Sequence, residues 1–252
     1  MNKNNFYLGT HMLSHIDKTN IPLFVSFRQL RKRKKKAFTR KSPIYIDSGG
    51  FSELTLFGEW TITPEEYILE LNRLKNLGLD FGWVAPQDYM CEPSMLEKTK
   101  LTIEEHQKRT IDNVIKLRKL TNDIHIIPVL QGQSLQDYYN HFEMYEVEGF
   151  DLRNEPIVGL GSVCRRQGAK EIEKIVKSLY KKGLKLHGFG VKTNGLKKYS
   201  KYLESCDSLA WSYASRIEKR KCNLCEKKDI KNCANCLNFA LQWRNKILEW
   251  IE

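Results

Sequence analysis

Residues 43–51 read PIYIDSGGF, and they are the clearest indication of how this chain folds. The apolar run at 43–46 predicts a short buried strand, and Asp47 stands where that strand ends. Gly49 and Gly50 allow the backbone to approach a ligand closely, and Phe51 offers a ring face. The same order of residues is also favourable in a turn. The stretch therefore predicts either a functional acid at a strand end or a plain strand-to-loop turn.

Similar apolar runs recur along the 252 residues, with helical segments between most of them. We predict strands near 6–8, 23–27, 44–46, 81–85, 126–130, 157–160, 186–189 and 208–212, and helices near 64–77, 103–120, 135–145, 169–181, 196–203 and 237–250. Eight strands with mostly helical connections favour an α/β fold, a (β/α)8 barrel. An open doubly wound sheet is the competing fold, but no Gly-x-Gly-x-x-Gly follows the first strand.

Polar residues and glycines stand at the carboxyl ends of these strands, at Asp47, Gln87, Asp88, Gln131 and Gly159 to Ser162, while His187 and Gly188 lie in the seventh strand and Asp207 lies at the eighth. In a barrel all these ends meet at one mouth, where active sites lie. A purely structural protein has no need to collect acids and amides there. For His187 a packed, satisfied side chain is the more common outcome for a strand histidine. The pattern predicts a polar site at the mouth of the barrel.

The chain is strongly basic, with a net charge of +12 and a pI near 9.3. Nine Lys and Arg residues crowd residues 28–41, and no acidic residue lies between Asp17 and Asp47. A second concentration surrounds residues 216–231. Candidate contacts to a nucleic-acid backbone are Arg31, Lys32, Arg33, Lys34, Arg216, Lys219, Arg220 and Lys221, and Arg165 and Arg166 are weaker candidates. Such segments neutralise phosphates, although a solvated basic face is the alternative.

Four of the seven cysteines form one cluster with the spacing Cys222-x2-Cys225-x7-Cys233-x2-Cys236. Paired spacings of this kind bring four thiolates to a tetrahedron, which predicts a structural zinc ion with no open position. We accordingly expect a barrel over residues 1–215, a zinc-binding insertion over 216–236 and a C-terminal helix over 237–252 that packs on the barrel. Cys91 and Cys164 stand apart, without a base partner nearby in the sequence.

The chain also shows no signal for a membrane or for export. No apolar run approaches the roughly 18 residues of a membrane span. The first five residues lack the charged-then-apolar layout of a signal peptide. Clustered cysteines suit a reducing compartment. We therefore expect a soluble cytoplasmic protein, in the cytoplasm of a bacterial host if a phage encodes it.

Several short motifs in their chain order resemble the tRNA-guanine transglycosylases. They are Ile46 to Phe51, Val84 to Asp88, Val129 to Gly132, Val158 to Gly161 and Cys206 to Ser208, followed by the cysteine cluster. The chain is compact beside those enzymes, and its four cysteines differ from the three cysteines and one histidine of the bacterial members. It is more similar to the reduced branch, the DNA 7-deazapurine transglycosylases of phages and bacterial genomic islands.

This resemblance implies exchange of guanine in DNA for a free 7-deazaguanine base such as preQ0. It implies that Asp207 is the nucleophile that traps the sugar and that Asp47 is the general acid/base. An alignment with the family shifted by three residues would place Ala210 in the nucleophile position, and an alanine side chain cannot act as a nucleophile. The implied base contacts are Ser48, Gly49, Phe51, Asp88, Gln131, Gly159, Leu160 and Gly161, with Tyr89 as a further stacking candidate.

Two other functions remain open at this point. The same base exchange could act on tRNA, because a lysine grip on phosphates does not distinguish the two sugars. A zinc-stabilised nucleic-acid-binding protein without turnover is the alternative of another class. The family also suggests a homodimer.

Overall fold

The computed structural model describes residues 1–163, 169–225 and 229–251. Its strands are β1 (Phe6–Thr10), β2 (Leu23–Ser26), β3 (Ile44–Asp47), β4 (Phe81–Val84), β5 (Val129–Leu130), β6 (Val158–Leu160), β7 (Leu186–Gly188) and β8 (Ser205–Ser208). Its helices are α1 (Leu13–Ile16), α2 (Phe27–Leu30), α3 (Gly50–Phe57), α4 (Pro64–Asn76), α5 (Pro93–Thr99), α6 (Ile103–Leu120), α7 (Leu135–Val147), α8 (Ala169–Lys181), α9 (Thr193–Tyr199), α10 (Ala210–Ile217) and α11 (Leu237–Leu248).

The strands form one parallel sheet in the order β4-β3-β2-β1-β8-β7-β6-β5. Its two edges meet, because the Val84 N–H donates to the His125 carbonyl at 2.9 Å and the Ile127 N–H donates to the Val84 carbonyl at 3.1 Å. A parallel bridge between Val84 and Ile126 marks the same junction. The predicted (β/α)8 barrel is confirmed.

Side chains alternate between the inside of the barrel and the helix layer, as the pleat of a strand requires. Aromatic residues fill the interior, among them Tyr7, Phe24 and Trp83. Their neighbours in sequence, such as Leu8 and Val25, pack under the helices. The same alternation decides which polar side chains face inward. Asp47 and Asp207 follow Tyr45 and Ser205 by two residues and therefore share their inward face, closer to the carboxyl end of the strand.

Helices α4 and α6 begin where the sequence predicts an N-terminal cap. Thr63 and Thr102 each accept a hydrogen bond from the backbone N–H three residues on, and the glutamate there bonds back to the cap. These capping boxes begin α4 and α6. The predicted 103–120 and 169–181 helices match α6 and α8 in full, whereas the short helices α1, α2, α3, α5 and α10 were not predicted.

The predicted eighth strand at 208–212 is wrong in position. Strand β8 lies at Ser205–Ser208, and residues from Ala210 onward form α10. The reason is that β8 turns its polar residues Ser205 and Asp207 into the barrel, so no apolar run marks it. The apolar residues that follow, including Trp211, belong to the buried face of α10. This correction moves Asp207 to the carboxyl end of its strand.

The last helix packs on the barrel. Ala240 and Ile247 of α11 are buried, and the Arg244 guanidinium donates to the Phe6 carbonyl at 3.0 Å. Helix α10 runs across the predicted boundary at 215, and that division of the chain stays a prediction. Among the described residues, no helix is both long and apolar enough to cross a bilayer.

Candidate active site

A cavity of about 390 Å³ opens at the carboxyl ends of the strands. Its lining combines acids with an aromatic ring and a cation: Asp47, Asp88, Asp207, Phe51 and Arg28. A volume of this size lies in the range of small-molecule sites. The structure thus brings together, from three distant parts of the chain, the acids that the sequence placed at strand ends.

Asp47 ends β3 and faces the cavity. Its carboxyl group accepts hydrogen bonds from the Gly49 N–H and from the Ser26 hydroxyl. Burial, helped by the negative charge of Asp207, raises the pKa of Asp47 to about 6 in spite of these bonds. An acid with such a pKa exchanges protons near neutral pH, which general acid/base chemistry requires.

Asp207 lies near the end of β8 and lines the same cavity. The Gly190 N–H donates to its Oδ1 at 2.8 Å, and Nε2 of His187 lies 3.4 Å from the same oxygen. Ala210, the residue of the alternative register, begins α10 instead. The geometry therefore favours Asp207 for a role at the sugar.

Asp88 follows β4 and is held from both sides. The Ser48 hydroxyl donates to its Oδ1 at 3.0 Å, and Nε2 of Gln131 donates to its Oδ2 at 2.6 Å. Burial and the neighbouring Asp47 raise the pKa of Asp88 to about 7. A carboxyl group fixed in this way at the wall of a cavity can read the N–H groups of a bound base edge.

Two glycines are required by this geometry. Gly49 has φ +84°, a conformation that other residues adopt at a cost, and it turns the chain from β3 into α3. At Gly161 a Cβ atom would lie 2.3 Å from Nε2 of Gln131. Gly161 therefore leaves the space in which Gln131 reaches Asp88.

Gly159 and Leu160 lie elsewhere than predicted. The Gly159 N–H donates to the Pro128 carbonyl, and the Leu160 carbonyl accepts from the Phe189 N–H, so both belong to the sheet. The Leu160 side chain is buried in the outer core. Both residues therefore lie in the barrel wall, whereas Gly161 and Ser162 line the cavity.

An apolar wall borders the acids. Phe51 and Met90 line the cavity and pack in one cluster with Leu54 and Met95. Tyr89 is buried in the same cluster, beside the His106 ring, rather than at the cavity. Phe51 thus lines the cavity together with Phe24 and Phe189 and can face a flat ligand, whereas Tyr89 is a core residue.

The first basic segment runs past the C-terminal end of helix α4. The Phe38 N–H donates to the Leu77 carbonyl at 2.7 Å, and Leu77 caps the end of α4. Helices of a (β/α)8 barrel run against the strands, so α4 ends at the face opposite the mouth. The Arg73 guanidinium also donates to the Lys34 carbonyl near that end of α4. Residues 34–38 therefore lie away from the cavity.

Arg33 is a structural residue, contrary to its predicted place at a nucleic-acid backbone. It is buried, its guanidinium contacts Asp17 at 2.7 Å, and it donates to the Lys36 and Ala37 carbonyls. The other predicted backbone contacts are exposed or partly exposed, namely Arg31, Lys32, Lys34, Arg216, Lys219, Arg220 and Lys221. Cys164, Arg165, Arg166, Lys227 and Lys228 lie outside the described residues.

Among the residues that line the cavity, Arg28 and Ser162 had no place among the predicted catalytic and base-binding residues. Arg28 stood within the basic run, yet it points to the cavity mouth and pairs with the buried Glu53, which Thr61 also binds at 2.6 Å. Ser162 adopts φ +56°, and its hydroxyl lies 2.7 Å from Oε1 of Gln131. A non-glycine residue in this conformation is a mark of functional sites, but no sequence pattern reveals it.

The four cysteines meet as predicted. The Sγ atoms of Cys222, Cys225, Cys233 and Cys236 lie within 4.8 Å of one another. Three of the Sγ–Sγ distances are 3.7, 3.8 and 3.9 Å. The cluster could hold a metal ion.

The closed barrel, its acid-lined mouth and the cysteine cluster define the class: a (β/α)8-barrel protein with a polar site at the carboxyl ends of its strands. The family model DpdA, DeoxyPurine in DNA protein A, matches residues 2–252. The chain therefore belongs to this family, the DNA 7-deazapurine transglycosylases, and the resemblance seen in the sequence is confirmed.

Other comparisons add little. A comparison with curated proteins finds no match. One solved structure, described as a "putative isomerase from Sinorhizobium meliloti, open loop conformation", is similar at 10% identity and a TM-score of 0.41. The match covers 81% of this chain and 49% of that one, so this chain spans about half the length of that protein.

Proposed function

We propose that the protein exchanges guanine in DNA for a free 7-deazaguanine base through a covalent bond between Asp207 and the sugar. Family membership supports base exchange on DNA. The observation that carries the covalent mechanism is that Asp47, Asp88 and Asp207 line one cavity. One acid can attack the sugar, a second can move the proton, and a third can read the base.

In the first step an oxygen of Asp207 attacks C1′ of the target nucleotide. The bond from C1′ to N9 breaks, its electron pair leaves with guanine, and the Asp47 carboxyl group supplies the proton that the departing base takes up. In the second step N9 of the incoming base attacks C1′, and the bond to Asp207 breaks. The electron pair returns to the Asp207 carboxylate, and Asp47 receives the proton of the incoming base. Two displacements preserve the configuration of the sugar.

Asp88 and Gln131 identify the base. Guanine and 7-deazaguanine both present N–H donors on one edge and a carbonyl on the next. Asp88 can accept hydrogen bonds from these donors. The Gln131 amide, which is bound to Asp88 and Ser162, lies beside it and can contact the carbonyl side of the base. A base with the opposite pattern leaves a buried carboxyl group unpaired, which is costly.

The cavity admits a nucleotide only after it leaves the duplex, because stacking hides the glycosidic bond. Arg28 lies at the cavity mouth, oriented by Glu53, where a guanidinium can bind the phosphate next to the extruded sugar. Of the two basic segments, residues 216–221 adjoin the cysteine loop, since the Cys233 N–H donates to the Arg220 carbonyl at 2.9 Å. That loop contacts His11, a residue of the cavity lining, through Asn235. We infer that this segment rather than residues 31–34 grips the backbone.

The cysteine cluster holds zinc in this proposal. A tetrahedral ion with Zn–S bonds of about 2.3 Å needs sulfurs about 3.8 Å apart. The measured Sγ–Sγ distances of 3.7 to 3.9 Å fit that value. Four thiolates leave no position for a substrate, so the ion would stabilise residues 222–236 and take no part in the exchange.

Nucleoside mass spectrometry tests the proposal. The protein is incubated with a free 7-deazaguanine base and, side by side, with duplex DNA and tRNA. We expect the deazaguanine nucleoside in DNA, a denaturation-resistant protein–DNA adduct with wild type, and no adduct with Asp207→Ala. Asp47→Ala should abolish exchange while salt-sensitive DNA binding persists. Incorporation only into tRNA would support the tRNA enzyme, and DNA binding without any adduct would support a non-catalytic binding protein.

A further inference from the structure

His187 is a buried histidine below the cavity floor that the proposed mechanism leaves unused. It lies on β7, opposite Ser205 of β8 in the sheet register. Its Nδ1 lies 2.8 Å from the Ser205 hydroxyl. Its Nε2 has no ordinary hydrogen-bond partner among the described residues, and it lies 3.4 Å from Oδ1 of Asp207.

The surroundings of the ring keep it neutral. Tyr7, Phe24, Trp83 and Phe189 all contact it, with ring centroids 4.7 to 5.5 Å away. Burial lowers the pKa of His187, although the Asp207 carboxylate opposes this effect. A neutral imidazole carries one N–H, and its position depends on the two neighbours.

The neighbours place that proton on Nε2. The Ser205 hydroxyl can rotate to donate to Nδ1, whereas a carboxylate can only accept. A proton on Nδ1 would turn the Nε2 lone pair toward the negative Oδ1 of Asp207. The favoured tautomer therefore points Nε2–H at Asp207, over a distance that a small shift of the carboxyl group would shorten to a full hydrogen bond.

We propose that His187 is a positioning residue for the nucleophile, an inference that rests on the proposed covalent mechanism. Its Nε2–H and the Gly190 N–H both point at the same atom, Oδ1 of Asp207. The two donors hold Oδ1 and leave Oδ2 as the oxygen that attacks C1′. Oδ1 then becomes the carbonyl oxygen of the ester.

These donors act mainly on the second step. When the bond between C1′ and Oδ2 breaks, the electron pair returns to Asp207 and the negative charge spreads to Oδ1. Donors at Oδ1 stabilise this carboxylate relative to the ester, and so they speed the breakdown of the adduct. Loss of the His187 donor should consequently make the adduct accumulate, which a general loss of packing would not do.

The test compares His187→Leu, which fills the space without a donor, with His187→Gln, whose amide can place an N–H near the position of Nε2. Adduct is formed on DNA, and its breakdown is timed after addition of free 7-deazaguanine base. We expect breakdown roughly tenfold slower in His187→Leu, with a larger adduct fraction at steady state and a KM for the base close to wild type. His187→Gln should recover to within about threefold of wild type.

Ser205→Ala serves as a second variant if His187→Leu fails to fold, which thermal melting will show. It removes the donor that selects the tautomer, and we expect slower breakdown in the same direction. Wild-type breakdown rates in His187→Leu, or in Ser205→Ala where His187→Leu does not fold, would overturn the inference. Equal slowing in His187→Leu and His187→Gln would assign the residue to packing alone. Absence of any adduct in wild type would instead refute the proposed function.

Discussion

At the scale of single residues, the site is a set of acids that cannot all be charged together. Asp47 raises the pKa of Asp88, and Asp207 raises that of Asp47, in a cavity whose walls exclude much of the solvent. Ser48 and Gln131 partly offset this by donating to Asp88. The protein thus holds protons near neutral pH that an unfolded chain would lose near pH 4.

Asp88 should make the stability of the protein depend on pH. Its pKa rises from 3.8 to about 7 on folding, so its stabilising contribution is complete below pH 3.8 and is lost as the pH rises through 7. We expect Asp88→Asn to reduce this loss by on the order of 4 kcal/mol, measured by urea unfolding at both ends of the range. The exposed Asp112→Asn is the control. An unchanged pH dependence in Asp88→Asn would contradict the assignment.

Gly161 should be intolerant of a methyl group. The Cβ of Gly161→Ala would meet the Gln131 amide at 2.3 Å and displace it from Asp88. We expect the KM for the free base to rise about tenfold or more, because base recognition loses its support. Gly149→Ala, which is strained at φ +82° but meets no atom within 4 Å, controls for a simple loss of stability. Equal kinetics in the two variants would refute the role.

At the scale of elements, the cysteine loop is tied to the helix that follows β8. The Ser212 hydroxyl donates to the Ala234 carbonyl at 2.8 Å, and the Cys233 N–H donates to the Ser215 hydroxyl at 2.9 Å. His11, which lines the cavity, contacts the Asn235 side chain at 2.7 Å. The cysteine cluster therefore supports α10 and one edge of the cavity.

Removal of the metal should loosen this region. With Cys236→Ser or a strong chelator, we expect loss of one bound ion per chain, faster amide hydrogen exchange in α10 and a lower melting temperature. The strands of the barrel should keep most of their protection. Cys91→Ala, at a buried cysteine outside the cluster, should retain the ion. Unchanged exchange in α10 after metal loss would show that the loop does not support the helix.

At the scale of the whole molecule, charge and topology together select one face for DNA. The net charge of +12 attracts any polyanion, but only the basic residues on the mouth side can act while a nucleotide occupies the cavity. Residues 216–221 adjoin the cysteine loop, which contacts the cavity residue His11, whereas residues 34–38 lie at the end of α4. The two segments are similarly basic, but we expect them to contribute differently to DNA binding.

Charge reversal should reveal this difference. We expect Arg216→Glu with Lys219→Glu to weaken DNA binding and to reduce the salt slope by about 2, near one for each phosphate that is no longer neutralised. Lys34→Glu with Lys35→Glu is the matched control, with the same change in net charge and a smaller effect. Binding measured by fluorescence anisotropy at several salt concentrations checks both. Equal weakening by the two pairs would place both segments at the DNA.

The sequence by itself determined the class of fold, the cysteine cluster and most of the acids of the site. Apolar runs, helix caps and cysteine spacing each depend on residues that are close in sequence, so they can be recognised without knowledge of the tertiary contacts. Local patterns also set the start of α6, because Thr102 and Glu105 form a complete capping box there.

Only the tertiary structure decided which groups meet. Strand β8 lacks an apolar run because the barrel interior accepts its Ser205 and Asp207, and His187 and Arg28 gain their roles from partners far along the chain. Likewise, burial of Arg33 and the place of Lys34 depend on where helices end. Such contacts come from the closure of the sheet, and closure is a property of all eight strands at once.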